Sequence, residues 1–232
     1  MTDMREQVMT IAVDGPVSAG KSTLSDALAR KLNILHLDSG AMYRAIGLYA
    51  LSKGISPDNE EALEQVIREN QAQVGVDYRD GRQVTLLNGR DVSGELRGEA
   101  VGAAASAVSR FAAVRKYLVG LQQQLARERS MLMDGRDIGT VVLPDAKVKI
   151  FLTASPEDRA LRRYTQLIAD GFNVDYPTVL RDLQARDEQD RNRAVDPLRA
   201  AEDAVVLDTT SFSFEQSLQA MMDIVNKVYG RD

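Results

Sequence analysis

The chain has 232 residues, of which 44% are hydrophobic and 27% charged, so it is large enough to bury a core within one domain. It contains no cysteine, which excludes disulfides and thiolate metal sites, and its single histidine leaves little room for a histidine-based metal site. Its formal net charge of −5 argues against a nucleic-acid-binding face. No apolar run is long enough to span a bilayer or to act as a signal segment, and we expect a cytoplasmic protein without membrane or nucleic-acid partners.

The first third of the chain alternates predicted strands and helices. Met9 to Val13 predicts a buried strand, and Ser22 to Leu32 predicts a helix with a leucine at every fourth position. Ile34 to Leu37 predicts a second strand, which is followed by a helix from about Gly40 to Leu51. The pair Asp58 and Glu61 is typical of a capping box and predicts the start of another helix.

Between Val74 and Arg97 the spacing of apolar residues changes from a helical period toward alternation. The dipeptides Asp80-Gly81 and Asn88-Gly89 are strong hairpin signals. We therefore predict a small antiparallel insert at residues 74–97 in a core domain made of residues 1–73 and 98–232.

The second half returns to alternating strands and helices. The predicted helices are Glu99 to Ser109, a segment bearing Val114 to Leu125, one opening at Ser155-Pro156, and Phe214 to Tyr229 with Gly230 as its stop. The predicted strands are Met131 to Met133, Val148 to Leu152 and Ala204 to Leu207. Strands separated by helices predict a three-layer, Rossmann-like α/β fold, with a central parallel sheet, helices on both faces and ligands at the carboxyl ends of the strands.

The segment VDGPVSAGKST fits the phosphate-loop pattern G-x-x-x-x-G-K-[ST], with Gly15, Gly20, Lys21 and Ser22 at the fixed positions. Glycines let backbone N–H groups turn toward phosphate oxygens, the lysine reaches the β- and γ-phosphates, and the serine can ligate Mg²⁺. A chance match in a tight turn is the alternative. The position after a buried strand and before an amphipathic helix favours a nucleotide site.

Three further segments carry charges that suit a phosphorylated ligand. LDSGAMYR places Ser39 as a candidate cap and Arg44 inside the next helix, and DGRD at residues 134–137 ends a buried strand. Arginines recur at helical spacing in SPEDRALRRYTQ and in QARDEQDRNR. Each segment alone is also compatible with a solvated charged face, but together with the phosphate loop they favour phosphoryl transfer.

In this order, the four motifs DGPVSAGKST, LDSGAMYR, DGRDIGTVVLPDAKVKIFL and RDEQDRNRAVDPL resemble those of bacterial cytidylate kinases, within the P-loop NTPase fold. The resemblance extends from about Ile11 to Tyr229. It implies Mg²⁺-dependent transfer of the ATP γ-phosphate to CMP or dCMP in pyrimidine nucleotide metabolism. It also implies that the antiparallel insert is attached to the region that binds the monophosphate. Val17 and Ser18 stand where the family often has smaller residues, and we expect little loss because this part of the loop acts through its backbone.

The resemblance also assigns site residues. Those expected to bind ATP are Gly15, Ser18, Ala19, Gly20, Lys21, Ser22, Thr23 and Arg163. Those expected to take part in catalysis are Lys21, Arg44, Arg136, Arg159, Arg186 and Arg193. Those expected to bind the acceptor are Ser39, Arg44, Arg115, Arg136, Asp137, Arg186, Asp190 and Arg193. Ser39, Arg115 and Asp137 would read the cytosine, since a carboxylate can accept from the N4 amino group that uracil lacks.

The resemblance further implies a short lid over ATP, at about residues 159–175. Asp134 is a candidate partner either of the Mg²⁺ shell, beside Ser22, or of Arg136. Nothing in the sequence demands a dimer, so a monomer is expected. Residues before Thr10 match no motif, and we expect a loose end there. Two rivals remain: another P-loop kinase, such as an adenylate or shikimate kinase, and a nucleotide-dependent switch or binding module that couples ATP to a partner protein.

Overall fold

The computed structural model describes residues 8–230, so residues 1–7 of the loose end expected before Thr10 lie outside the described part. At Met9 that expectation is wrong, because Met9 is buried and its N–H donates to the hydroxyl of Ser130 at 2.9 Å. The strands are β1 Thr10–Asp14, β2 Leu35–Asp38, β3 Val74–Arg79, β4 Arg82–Leu87, β5 Arg90–Asp91, β6 Met131–Gly135, β7 Val148–Thr153 and β8 Val205–Asp208. The helices are α1 Lys21–Leu32, α2 Ser39–Ser52, α3 Glu60–Arg68, α4 Glu99–Val108, α5 Ala112–Glu128, α6 Pro156–Ala169, α7 Tyr176–Asn192 and α8 Phe214–Tyr229. A 3₁₀ turn, Glu95–Arg97, and a π-helical turn, Ile138–Val142, complete the described elements.

The strands form two sheets. The larger has five strands in the order β2-β6-β1-β7-β8, with Ile11 of β1 beside Val148 of β7 and Ile150 of β7 beside Val205 of β8 in parallel register. The smaller has the order β3-β4-β5 and is antiparallel. The predicted α/β class, with a parallel sheet and a small antiparallel sheet between Val74 and Arg97, is therefore confirmed.

The described chain divides into two compact units. Residues 34–131, with Val8 and Met9, form the first unit, which contains the antiparallel sheet. Residues 10–33 and 132–230 form the second unit, which contains β1, β7 and β8. The division into a core domain and an insert at residues 74–97 stays a prediction.

Apolar periodicity explains the helices that were predicted best. Leu24, Leu28 and Leu32 of α1 are buried at the predicted four-residue spacing, and burial of each side chain contributes roughly 2 kcal/mol. Helix α8 has the bounds predicted from its apolar face, and Gly230 ends it with a positive φ of 61°. Ser155 caps α6 and Pro156 takes its first position, as predicted.

Two predicted helix starts are wrong by one residue. Asp38, rather than Ser39, caps α2, and its side chain accepts a hydrogen bond from the N–H of Ala41. Asn59, rather than Asp58, caps α3 in the same way. In each case two neighbouring residues both had side chains suited to capping, and the chain direction entering the helix decides between them.

In residues 8–230, none of the helices combines the length and the apolar character needed to cross a bilayer.

Candidate active site

The loop between β1 and α1 has the backbone of a phosphate loop. Gly15 has a φ of 152°, and a Cβ atom there would lie 1.9 Å from the carbonyl oxygen of Leu152. Gly20 has a φ of 86° directly before α1. Because only glycine fits the first position without displacing β7, the loop can pass close to the sheet and point toward the start of α1. This arrangement leaves the positive end of α1 for an anion.

Lys21, the first residue of α1, is buried at the base of this loop. Its Nζ donates a hydrogen bond of 2.7 Å to the carbonyl oxygen of Pro16. Burial, with the nearby charge of Arg136, lowers the pKa of Lys21 to about 7, although Asp134, Asp14 and Asp190 act in the opposite direction. The nearby carboxylates therefore do not offset the burial of its ammonium group, and the negative charge of a bound phosphate would stabilise the protonated form.

The hydroxyl of Ser22 donates a hydrogen bond of 2.8 Å to Oδ2 of Asp134, which lies in β6 and is buried. A hydroxyl beside a carboxylate fits Mg²⁺, which prefers oxygen ligands and takes few of them from the protein when phosphates are present. Among residues 8–230, no group of three or more acidic or histidine side chains could hold a metal ion by itself. The hydroxyl of Ser22 beside Asp134 fits an ion that a nucleotide brings with it.

Charged side chains from the end of β6 and from α7 meet near Lys21. Arg136 donates from Nε to Asp190 at 2.7 Å, and Arg193, just beyond α7, lies 3.2 Å from a carboxylate oxygen of Asp137. Burial alone would raise the pKa of Asp190, but Arg136, and then Arg186 and Arg193, outweigh it and lower that pKa. The sequence-predicted residues of these two segments are thus brought together in one unit as alternating cations and carboxylates.

Helix α6 places its two predicted site arginines differently. Arg159 is buried, forms an ion pair of 2.7 Å with Asp187 of α7, and donates from Nη1 to the carbonyl oxygen of Val17 at 3.0 Å. Arg163 is half-exposed and donates to Gln166. Arg159 therefore holds the phosphate loop through the backbone of Val17, whereas Arg163 lies nearer the surface of its unit.

In the first unit, Ser39 and Arg44 lie in α2, and Arg115 lies in α5. Arg44 forms an ion pair of 3.1 Å with Asp38. Arg115 is buried, with its guanidinium carbon 5.6 Å from the ring centre of Tyr43 and Nη1 donating to the carbonyl oxygen of Ser109. Contacts within the first unit therefore hold the side chains of Arg44 and Arg115.

The sequence analysis missed Asp14, the last residue of β1. Its buried carboxylate accepts hydrogen bonds of 2.7 Å from the N–H groups of both Ile138 and Gly139. Burial raises the pKa of Asp14 to about 6, although these two N–H donors and Lys21 oppose the rise and Asp137 adds to it. Asp14 therefore fixes the start of the π-helical turn that follows Asp137. The available signal was an acidic residue at the end of a buried strand, directly before the phosphate loop.

We expect Asp14→Asn to change how stability depends on pH. The native pKa of Asp14, about 6, exceeds the ordinary value of 3.8, so between these values the native state keeps a proton that the unfolded state has released. This group therefore costs the wild type about 2 kcal/mol of stability as pH rises from about 4.5 to about 7, and asparagine lacks that loss. Urea unfolding across this range measures it, and parallel stability curves for the two proteins would contradict it.

Comparisons with known proteins give the family of this chain. The cytidylate kinase family model matches residues 11–227. A cytidylate kinase of Caldicellulosiruptor bescii is 46% identical over 95% of this chain and 96% of its own, and one of Mycolicibacterium paratuberculosis is 48% identical over 94% and 96%. A solved shikimate kinase of Bacteroides thetaiotaomicron is 16% identical over 95% of this chain and 99% of that one, with a TM-score of 0.47. The matched length and the identity to the curated relatives show that this chain belongs to the cytidylate kinase family, a group of nucleoside monophosphate kinases.

Proposed function

We propose that this chain transfers the γ-phosphate of ATP to CMP or dCMP, giving ADP and CDP or dCDP, in pyrimidine nucleotide metabolism. The observation that carries the proposal is the cluster of opposite charges near Lys21 of the phosphate loop. In this cluster Arg136 pairs with Asp190 at 2.7 Å and Arg193 pairs with Asp137 at 3.2 Å. Phosphoryl transfer depends on positioning and on cations around the moving phosphoryl group, with little covalent chemistry for the protein. A member of this family with such a cluster is suited to that reaction.

The donor side of the proposal uses the second unit. Backbone N–H groups of the loop would hold the ATP phosphates, with Lys21 on the β- and γ-phosphates. The loop residues assigned to this contact are Gly15, Ser18, Ala19, Gly20, Lys21, Ser22 and Thr23. The hydroxyl of Ser22, with Asp134 behind it, would hold Mg²⁺, which supplies charge neutralisation between the phosphates when it is bound.

The acceptor side of the proposal depends on arginines and on Asp137. Arg44 and Arg136 would hold the acceptor phosphate, Arg186 and Asp190 would contact its ribose, and Arg193 would lie near the phosphates. Ser39, Arg115 and Asp137 would read the cytosine. The ion pair between Arg193 and Asp137 supports this set, because it fixes the orientation of the Asp137 carboxylate.

The remaining roles stay predictions of the sequence. Contact of Arg159 with ATP would require it to leave Asp187 and Val17, so its observed contacts support a role in holding the loop. Arg163 is half-exposed and donates to Gln166 within the predicted lid at residues 159–175, and contact with ATP stays its predicted role. A monomeric state, a cytoplasmic location and the absence of nucleic-acid partners also stay predictions.

The proposal is tested by ADP release from Mg-ATP in a coupled assay with CMP, dCMP, UMP, AMP, GMP or shikimate as acceptor. We expect turnover with CMP and dCMP at a kcat/KM at least about tenfold above that with UMP. A preference for another acceptor would overturn the assignment of Ser39, Arg115 and Asp137 to the cytosine, but the chain would still be a kinase. ADP release that depends on no acceptor would favour a nucleotide switch.

A variant of Asp137 tests the base-reading step within the same assay. Asp137→Asn replaces a carboxylate that accepts from the N4 amino group of cytosine by an amide that can also donate to O4 of uracil. We expect the ratio of kcat/KM for CMP to that for UMP to fall by about tenfold or more. Asp182→Asn, an exposed change in α7, is the matched control and should keep the wild-type ratio. An unchanged ratio in Asp137→Asn would remove Asp137 from the base-reading set.

A further inference from the structure

The side-chain amide of Gln83, in β4 of the antiparallel sheet, contacts both backbone polar groups of Asp38. The N–H of Asp38 donates to Oε1 of Gln83 at 2.7 Å, and Nε2 of Gln83 donates to the carbonyl oxygen of Asp38 at 3.3 Å. A primary amide has its donor and its acceptor on separate atoms, so it can pair with the N–H and the carbonyl oxygen of one residue at the same time. The contact joins residues 45 apart in sequence and fixes the backbone just before α2.

The side chain of Asp38 connects this backbone contact to Arg44. Its Oδ1 accepts from the N–H of Ala41 at 3.2 Å, which caps α2, while its Oδ2 accepts from Nη1 of Arg44 at 3.1 Å. Both members of the ion pair are partly exposed, so the pair adds little stability by itself. Its effect is instead to set the direction of the guanidinium group relative to the start of α2.

The strand that carries Gln83 is held by further hydrogen bonds. Nε2 of Gln83 also donates to Oγ1 of Thr85, which is buried, and the N–H of Thr85 donates to the hydroxyl of Ser93 at 3.0 Å. Strand β4 pairs with β3 along its whole length, from Arg82 to Leu87. A group held on a regular strand and braced by a second hydrogen bond can position another group more precisely than one on a loop.

From these contacts we infer that Gln83 is a positioning residue for the acceptor phosphate: the antiparallel sheet sets the orientation of Arg44 through Gln83 and Asp38. The inference rests on the proposed function, in which Arg44 holds the phosphate of CMP. It gives the antiparallel sheet a role in acceptor binding. A misoriented Arg44 loses the paired geometry that a guanidinium needs for phosphate oxygens.

The test is Gln83→Leu, which keeps the approximate length of the side chain and removes its hydrogen bonds. We expect the KM for CMP to rise by about tenfold, while the KM for ATP stays within about twofold of the wild type. The control is Arg82→Leu, the exposed neighbour in the same strand, which should change neither KM. Thermal unfolding of all three proteins shows whether they are equally folded. An unchanged KM for CMP in Gln83→Leu would overturn the inference.

A double-mutant cycle with Arg44→Met separates positioning from general support of the fold. If Gln83 acts through Arg44, adding Gln83→Leu to Arg44→Met should change kcat/KM for CMP by less than about twofold. Additive losses would show that Gln83 acts by another route and would overturn the inference. The activity of the wild type separates failure of the inference from failure of the proposed function. If the wild type phosphorylates CMP and Gln83→Leu has the same KM for CMP, only the positioning role of Gln83 is removed. A wild type that neither binds nor phosphorylates CMP removes the proposed function and the inference with it.

Discussion

Lys21→Met is expected to lower kcat by about a thousandfold without lowering thermal stability. The ammonium group of Lys21 is a cation at the base of the phosphate loop, and the charge of Arg136 contributes to lowering its pKa. Its loss removes positive charge at the place where the transferred phosphoryl group would carry negative charge. Coupled-assay kinetics with saturating ATP and CMP measure the effect, and calorimetric titration with ATP measures the loss of nucleotide affinity.

The expected stability of this variant follows from the burial of the lysine. Burial lowers the pKa of Lys21 to about 7 from 10.5. Near neutral pH this buried lysine therefore lowers the free energy of unfolding, and an apolar side chain would not. Methionine fills a similar volume. The variant loses the hydrogen bond to Pro16 and the attraction of Asp134, Asp14 and Asp190, but the lowered pKa shows that burial and Arg136 outweigh that attraction.

Lys31→Met, an exposed change at the other end of α1, is the matched control and should keep both activity and stability. Near-wild-type turnover in Lys21→Met would contradict the assignment of the loop. Equal loss of folding and activity would contradict the separation of the two effects.

The part of the site that could be predicted from sequence is the part encoded by neighbouring residues. The phosphate loop was predicted because the glycine spacing dictates its backbone, and Gly15 indeed approaches Leu152 too closely for any side chain. Helix α8 was predicted to its exact bounds because its apolar face and Gly230 lie within one continuous segment. Both features depend on local geometry alone.

The contacts that orient the site could not be predicted in this way. Asp14 meets Ile138 and Gly139 across 124 and 125 residues, and Gln83 meets Asp38 across 45. Such pairs exist only after the strands are packed, and no spacing rule relates their positions. The sequence shows that Asp14 is a polar residue at the end of an apolar strand, but it does not show which residues Asp14 contacts.

Helix α6 shows the same limit on a smaller scale. Its arginines were placed on one face by their spacing, but the packing of α6 against α7 decides which of them is buried. Arg159 faces Asp187 and the loop at Val17, and Arg163 stays half-exposed. Spacing therefore identified the face, and tertiary packing separated a residue suited to hold the loop from one suited to meet a ligand.

Arg136→Met is expected to lower kcat/KM for CMP by about a thousandfold and also to destabilise the protein by roughly 1 to 3 kcal/mol. Arg136 is the first of the cations that lower the pKa of Asp190, at an Nε to Oδ2 distance of 2.7 Å. Because the native pKa of Asp190 is lowered, its stabilising contribution is present above the ordinary carboxyl pKa and is lost as pH falls through the native value. The stability deficit of Arg136→Met should therefore be larger at neutral pH than at acidic pH, where protonation of Asp190 removes the uncompensated charge.

Adding Asp190→Asn separates the two effects of Arg136, because it removes the carboxylate that the variant leaves without its main partner. We expect Arg136→Met with Asp190→Asn to recover part of the lost stability in urea unfolding, since no buried charge is then left uncompensated. The kcat/KM for CMP should stay low in the double variant, because the acceptor phosphate still lacks its cation. Arg181→Met, an exposed change in α7, should match the wild type in both measurements. Recovery of activity together with stability would show that Arg136 acts only by holding Asp190, and would remove it from the residues that contact the acceptor phosphate.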